Sequence, residues 1–153
     1  MTDIVLLEMH DLRLVHSVLV DLFRDDPEPM PEWSEADRAL LETLCGCTEV
    51  RAFGRSKYPE LHEKAAKLFY SGVKLHASPN GNKRFGVVVA MVFLLKNGHA
   101  LKVRPGELVD LATRVANADP HQRETKPDRV IKLLGEAFEG LLVSAPTGSE
   151  QEP

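Results

Sequence analysis

The chain has no hydrophobic run long enough to cross a membrane. Its longest apolar stretch, Phe85 to Leu95, is about half of the ~20 residues a spanning helix needs. It lacks a basic, then apolar, leader: MTDIVLLEMHD carries acids early and no basic n-region, so no secretory signal is expected there. It also lacks an excess of positive charge. With 19 Lys and Arg against 23 Asp and Glu, the net charge is −4, which argues against direct DNA binding or a general nucleic-acid binder. Cysteine is scarce, and both residues sit in one Cys45-Gly46-Cys47 stretch. A metal site would need further ligands that no neighbouring motif supplies, so two reduced thiols at a helix end are expected. There are no internal repeats. These absences leave a cytoplasmic protein with no membrane partner as the expectation.

What is present is ordinary for a globular protein: 43% hydrophobic and 27% charged residues over 153 positions. That length suits one domain with a real core. Helical spacing dominates. Val5, Leu6, Leu12, Val15, Leu19, Leu22 and Phe23 predict a first helix over 4–24, on which His10 and His16 read as surface or part-buried residues. DDPEPMPEW, 25–33, holds three prolines and reads as a connector. Ser34, followed by acids, is a good N-cap for a second helix ending at Cys45-Gly46. Residues 47–57 read as an irregular, locally basic loop with Arg51, Arg55 and Lys57. Pro59 opens a third helix to Leu75, with His62 exposed near its start. His99 to Val103 is a turn or brief strand. Pro105 or Gly106 starts a helix to about Asn117. Asp119-Pro120 breaks the chain. Thr125, Pro127 and Asp128 start a last helix to about Leu142. The expected fold is all-α: one helical bundle, residues 1–143, with a disordered tail over 144–153.

The bundle is expected to form around a buried helix at about 82–97. Its apolar residues face every side, and Lys96 with Gly98 makes a good stop. Before it lies a Pro79-Asn80-Gly81 turn, suited to positive φ at Asn80 and Gly81. Asn82, Lys83 and Arg84 therefore fall in the first helical turn. Unpaired N–H groups and the positive end of the dipole favour an anion there. Two cations at that end disfavour the isolated helix, and a bound phosphate reverses the sign. His76 stands beside this nest as a candidate general base. A base next to a phosphate cradle suggests phosphoryl or nucleotidyl transfer to a hydroxyl.

His76-Ala-Ser-Pro-Asn-Gly-Asn-Lys-Arg84 resembles the signature of the Fic/Doc family, H-x-F-x-[D/E]-[G/A]-N-[G/K]-R. Its matching positions would coincide by chance at on the order of one site in a million. Lys83, and an apolar helix ending in Asn-Gly, are more similar to the Doc (death-on-curing) branch than to the AMP-transferring branch. Two positions depart from the pattern. Ser78 replaces the family's Phe, which tucks into the core. Asn80 replaces its acid, which helps to hold Mg²⁺, and a neutral amide is a poorer ligand for a hard cation.

The resemblance implies a helical Fic/Doc domain and a toxin of a toxin–antitoxin pair. ATP would be the donor and Mg²⁺ the metal, held by Asn80. The acceptor would be a target-protein hydroxyl, elongation factor Tu being the target it suggests, with translation inhibited. A cognate antitoxin would restrain it. His76 would be the base. Gly81, Asn82, Lys83 and Arg84 would bind phosphates, with Lys83 and Arg84 also offsetting charge in the reaction. AMP transfer, and a degenerate homologue that only binds a nucleotide or partner, remain open beside this reading. A self-inhibitory glutamate at Glu139 is disfavoured, since the Ser or Thr that precedes it in such motifs is missing. A flap over the target is implied near 25–33, with a plain connector equally open.

Overall fold

The computed structural model describes residues 3–27, 29, 35–74 and 82–146, with the backbone alone at Ala36, Asp37 and Asn82. Six helices account for most of it: α1 Met9–Leu22, α2 Glu35–Gly46, α3 Leu61–Val73, α4 Asn82–Lys96, α5 Pro105–Asn117 and α6 Pro127–Leu141. Two antiparallel ribbons complete the described chain, β1 Arg51–Ala52 with β2 Arg55–Ser56, and β3 His99–Leu101 with β4 Leu142–Ser144. The all-α expectation holds.

α4 is the central helix. Phe85, Val89, Ala90, Phe93 and Leu94 are buried on its inner side, against α3 and α5. It is not buried all round. Val87, Val88, Met91 and Val92 are half-covered, and Leu95 is exposed. On that side Val88 and Val92 line a shallow apolar groove with Leu14, Val18 and Leu22 of α1. α3 packs between α4 and α6, where Phe69 meets Phe138 edge-on at 5.5 Å. Fully burying each such side chain contributes about 1.5–3 kcal/mol.

α3 and α4 approach more closely than side chains allow. A Cβ on Gly72 would lie 2.7 Å from the Gly86 Cα, and a Cβ on Gly86 would lie 2.7 Å from the Val73 N and 2.9 Å from the Phe69 O. The two backbones touch there.

Helix ends follow local chemistry. Pro105 and Pro127 occupy first-turn positions, where a missing N–H costs nothing. α3 begins two residues after Pro59, because Glu60 and Glu63 form a reciprocal cap. Thr125 does not cap α6; its hydroxyl donates to the Asp119 carbonyl at 2.5 Å and closes the preceding loop. α1 starts at Met9 rather than residue 4. Glu8 and Asp11 cap each other there. Asn97 also captures the residues before it, accepting from Val5 N–H at 2.7 Å and donating to Val5 O at 2.9 Å. Ser34, the expected cap of α2, lies outside the described residues, as does most of 28–34.

Residues 47–57 are ordered: a 3₁₀ turn, Cys47–Glu49, then the β1–β2 hairpin. Phe53 and Gly54 both take positive φ, the requirement of a tight two-residue hairpin turn. Two of its basic residues have structural partners, one inside the hairpin and one on α6. Arg51 donates to Gly54 O at 2.6 Å, and Lys57 pairs with Asp128 at 2.9 Å. At the other end, Ser144 pairs with His99, and Ala145 N–H donates to Gly98 O at 2.9 Å. The start of the expected tail thus stays on the domain, while 147–153 lie outside the described residues. Among the described residues no helix is long and apolar enough to cross a membrane.

Both cysteines are free, and burial raises both thiols above their usual range, which suits inert reduced side chains. His16 is buried, more fully than the expected surface or part-buried position, and stands edge-on to Phe85. His62 is half-buried, with its Nε2 3.8 Å from Glu139.

Gly86→Ala should destabilise the fold by about 2 kcal/mol, because overpacking against backbone outweighs alanine's helix propensity. The melting temperature should fall by about 4–8 °C. Gly106→Ala, with open space at its Cβ position, should not lower it; equal melting of the two variants would contradict the contact.

Burial pushes the Asp11 carboxyl up, but hydrogen bonds from Lys96 and the Glu8 N–H outweigh it, leaving the group below its ordinary 3.8. Its stabilising effect is therefore full above that value and lost as pH falls through the lower folded value. Calorimetry of Asp11→Asn should show a lower melting point than the parent at about pH 7, and a gap that narrows as the pH falls below 3.8 and through the lower folded value.

Candidate functional site

The sequence motif falls across the α3–α4 joint. His76, Ser78, Asn80 and Gly81 lie outside the described residues. The structure places the two ends of that joint and the first turn of α4. Asn82 is the first residue of α4, Lys83 is exposed and Arg84 is half-buried. Of the candidate phosphate contacts, Asn82, Lys83 and Arg84 therefore sit at a helix start, while Gly81 is not among the described residues.

Both ends of the joint are anchored by contacts that the sequence does not announce. On the α3 side, Lys74 follows the last helical residue. Its Nζ donates to Ala118 O at 2.7 Å and Ala116 O at 3.4 Å, at the end of α5. A cation on those C-terminal carbonyls satisfies acceptors the helix leaves over and complements its dipole. On the α4 side, the Arg84 guanidinium lies 3.8 Å from the centroid of the Phe23 ring, and its Nη2 is 3.5 Å from Asp26 Oδ1. Phe23 and Asp26 come from the end of α1. The first of these belonged to the expected α1 stripe, the second to the expected connector. Below them Phe85 packs into the core beside His16.

This answers the charge problem posed by the sequence. Lys83 and Arg84 crowd the positive end of α4, and Asp26 offsets part of that charge. The arrangement suits an anion, through backbone N–H groups of a first turn and two cations.

Other candidate features lie elsewhere. A cleft of about 340 Å³ is lined by Lys57, Tyr58, His62, Asp128, Lys132 and Glu136, and it includes none of the described motif residues. Glu139, the disfavoured self-inhibitory residue, faces His62 at the start of α3. That is roughly 16 Å along the helix from the joint, at 1.5 Å per residue. Among the described residues, the group with metal-ligand chemistry is Glu8, His10 and Asp11. Two of these already form the α1 cap, and Asp11 pairs with Lys96 at the far end of α4.

Part of the chain is similar to a known toxin. Over 62 residues, 40% of this chain, it is 37% identical to Toxin Doc of Mycolicibacterium smegmatis (strain ATCC 700084 / mc(2)155). The match takes in 48% of that protein, so the chain spans about half the length of the curated relative it matches. No family model matches the chain, and no solved structure does.

Proposed function

We propose that the protein is a Doc-like toxin of a toxin–antitoxin pair, transferring a phosphoryl group from ATP to a hydroxyl of a target protein. The observation that carries this reading is the placement of Lys83 and Arg84 in the first turn of α4, directly after the His76 to Gly81 stretch. Similarity to Toxin Doc over 62 residues supports it.

Each residue has a role in that reading. His76 takes the proton from the acceptor hydroxyl. Asn82 and the backbone N–H groups from Gly81 to Lys83 cradle the phosphates. Lys83 and Arg84 offset charge that develops during transfer. ATP supplies the group that moves. Mg²⁺ would be held by the neutral oxygen of Asn80, so more of the charge compensation falls to Lys83 and Arg84 than where an acid binds the metal. The target is a Ser, Thr or Tyr side chain, with elongation factor Tu as the proposed protein, and translation is inhibited. A cognate antitoxin restrains the activity, and the setting is the cytoplasm. The neutral Asn80 favours a second reading, a homologue that binds a nucleotide but transfers nothing.

The test incubates the protein, and its His76→Ala variant, with Mg²⁺, a bacterial lysate and ATP labelled at the α or the γ phosphate. The expected result is label on a lysate protein from γ only, reduced about 10²–10⁴-fold in the variant. Label from α only would make the protein an AMP transferase. No label from either, with the protein folded, would favour the binding reading.

A further inference from the structure

We infer that Phe23 and Asp26, at the end of α1, are positioning residues for Arg84: the Phe23 ring fixes the guanidinium plane, and Asp26 is the counter-ion an arriving phosphate replaces. This rests on the reading of the α4 start as a phosphate site.

The geometry is that of a preset clamp. At 3.8 Å from the ring centroid, the Arg84 guanidinium is in stacking contact. Stacking engages the face of the group and consumes no N–H donor, so the donors in its plane stay directed away from the ring. The Asp26 contact differs in kind. At 3.5 Å it is longer than a good charge-assisted hydrogen bond, and both side chains keep some solvent contact, 26% for Arg84 and 33% for Asp26. An ion pair that is loose and partly wet can be exchanged for a stronger one with a multiply charged anion.

Ring and carboxylate are linked through one hydrogen-bonded turn. Phe23 N–H donates to Leu19 O at 3.1 Å, which continues α1. Asp26 N–H donates to Phe23 O, also at 3.1 Å, which folds the next turn back on the ring residue. Phe23 is itself half-buried against the core. The end of α1 therefore carries one ordered element with a flat apolar face and a negative edge, placed where α4 begins. Arginine is long and rich in rotamers, so ordering it before binding lowers the cost of capturing phosphate. The carboxylate does the opposite, because it competes with the anion.

Opposite roles give effects of opposite sign. The experiment is calorimetric titration with ATP and Mg²⁺ of the parent, Phe23→Leu, Phe23→Trp, Asp26→Asn and Arg84→Gln, with each Phe23 and Asp26 change repeated in the Arg84→Gln chain. Phe23→Leu should weaken binding roughly 3- to 10-fold, within the range of a stacked cation, and Phe23→Trp should restore it. Asp26→Asn should tighten binding by about 3-fold, the scale of a partly exposed ion pair. Both effects should vanish in the Arg84→Gln chain, since a coupling through Arg84 cannot outlast it. Unchanged affinity, shifts of the same sign, or effects that persist without Arg84 would overturn the inference. Failure of the underlying reading looks different: the parent itself would bind no ATP, and the inference would fall with it. Phe23→Trp keeps the ring, so loss of fold in Phe23→Leu would leave the sign of Asp26→Asn and its dependence on Arg84 to decide.

Discussion

The backbone contact between Gly72 and Gly86 is the constraint on which the rest depends. Each residue occupies the only space that the other helix leaves, since any Cβ would meet backbone at less than 3 Å. Once α3 and α4 touch there, the chain between them has little freedom in where it begins and ends. Gly72 is the penultimate residue of α3, two before Lys74, and Gly86 is in the second turn of α4. A close crossing beside the α3–α4 joint fixes where the chain leaves α3 and where it enters α4. That is a physical reason for chemistry to be sited between two helices rather than on a longer loop.

Electrostatics then refine what packing places. The end of α3 is tied by Lys74 to the carbonyls at the end of α5. The start of α4 is tied by Arg84 to Phe23 and Asp26. The far end of α4 is tied by Lys96 to Asp11, at 2.7 Å. All three cations meet negative charge, but only Lys74 and Lys96 also lie at the C-terminal end of a helix, where its dipole favours them. Arg84 sits at the wrong end of its helix dipole for stability alone. Such a local conflict marks a position where another demand can outweigh stability, and the anion proposed at α4 would be one that fits.

Much of this fold is legible in the sequence. Pro105 and Pro127 announce the starts of α5 and α6, Gly98 ends α4 with positive φ, and the apolar run from Phe85 marks the central helix. Lys83 and Arg84 fall in the first helical turn, as their place after Asn80-Gly81 implies. What escapes are features set by partners distant in the chain. Asn97 lies 92 residues from Val5, yet it holds the N-terminal segment out of α1. The short ribbons depend on the Phe53-Gly54 turn and on the return of residues 142–144 to β3. Phe23 reads as an ordinary core position until Arg84 is seen over it. The signal that was available is Gly86. A glycine inside an apolar helix costs about 1 kcal/mol relative to alanine, and it stays only where something approaches closely.

The central claim is that the first turn of α4 is an anion site. Amide hydrogen exchange of the unmodified protein, with and without ATP and Mg²⁺, tests it without relying on turnover. Slower exchange confined to the amides from Gly81 to Phe85 is the predicted result. Unchanged exchange there, or slowing instead around Lys57, Tyr58 and Lys132 in the α3–α6 cleft, would contradict it.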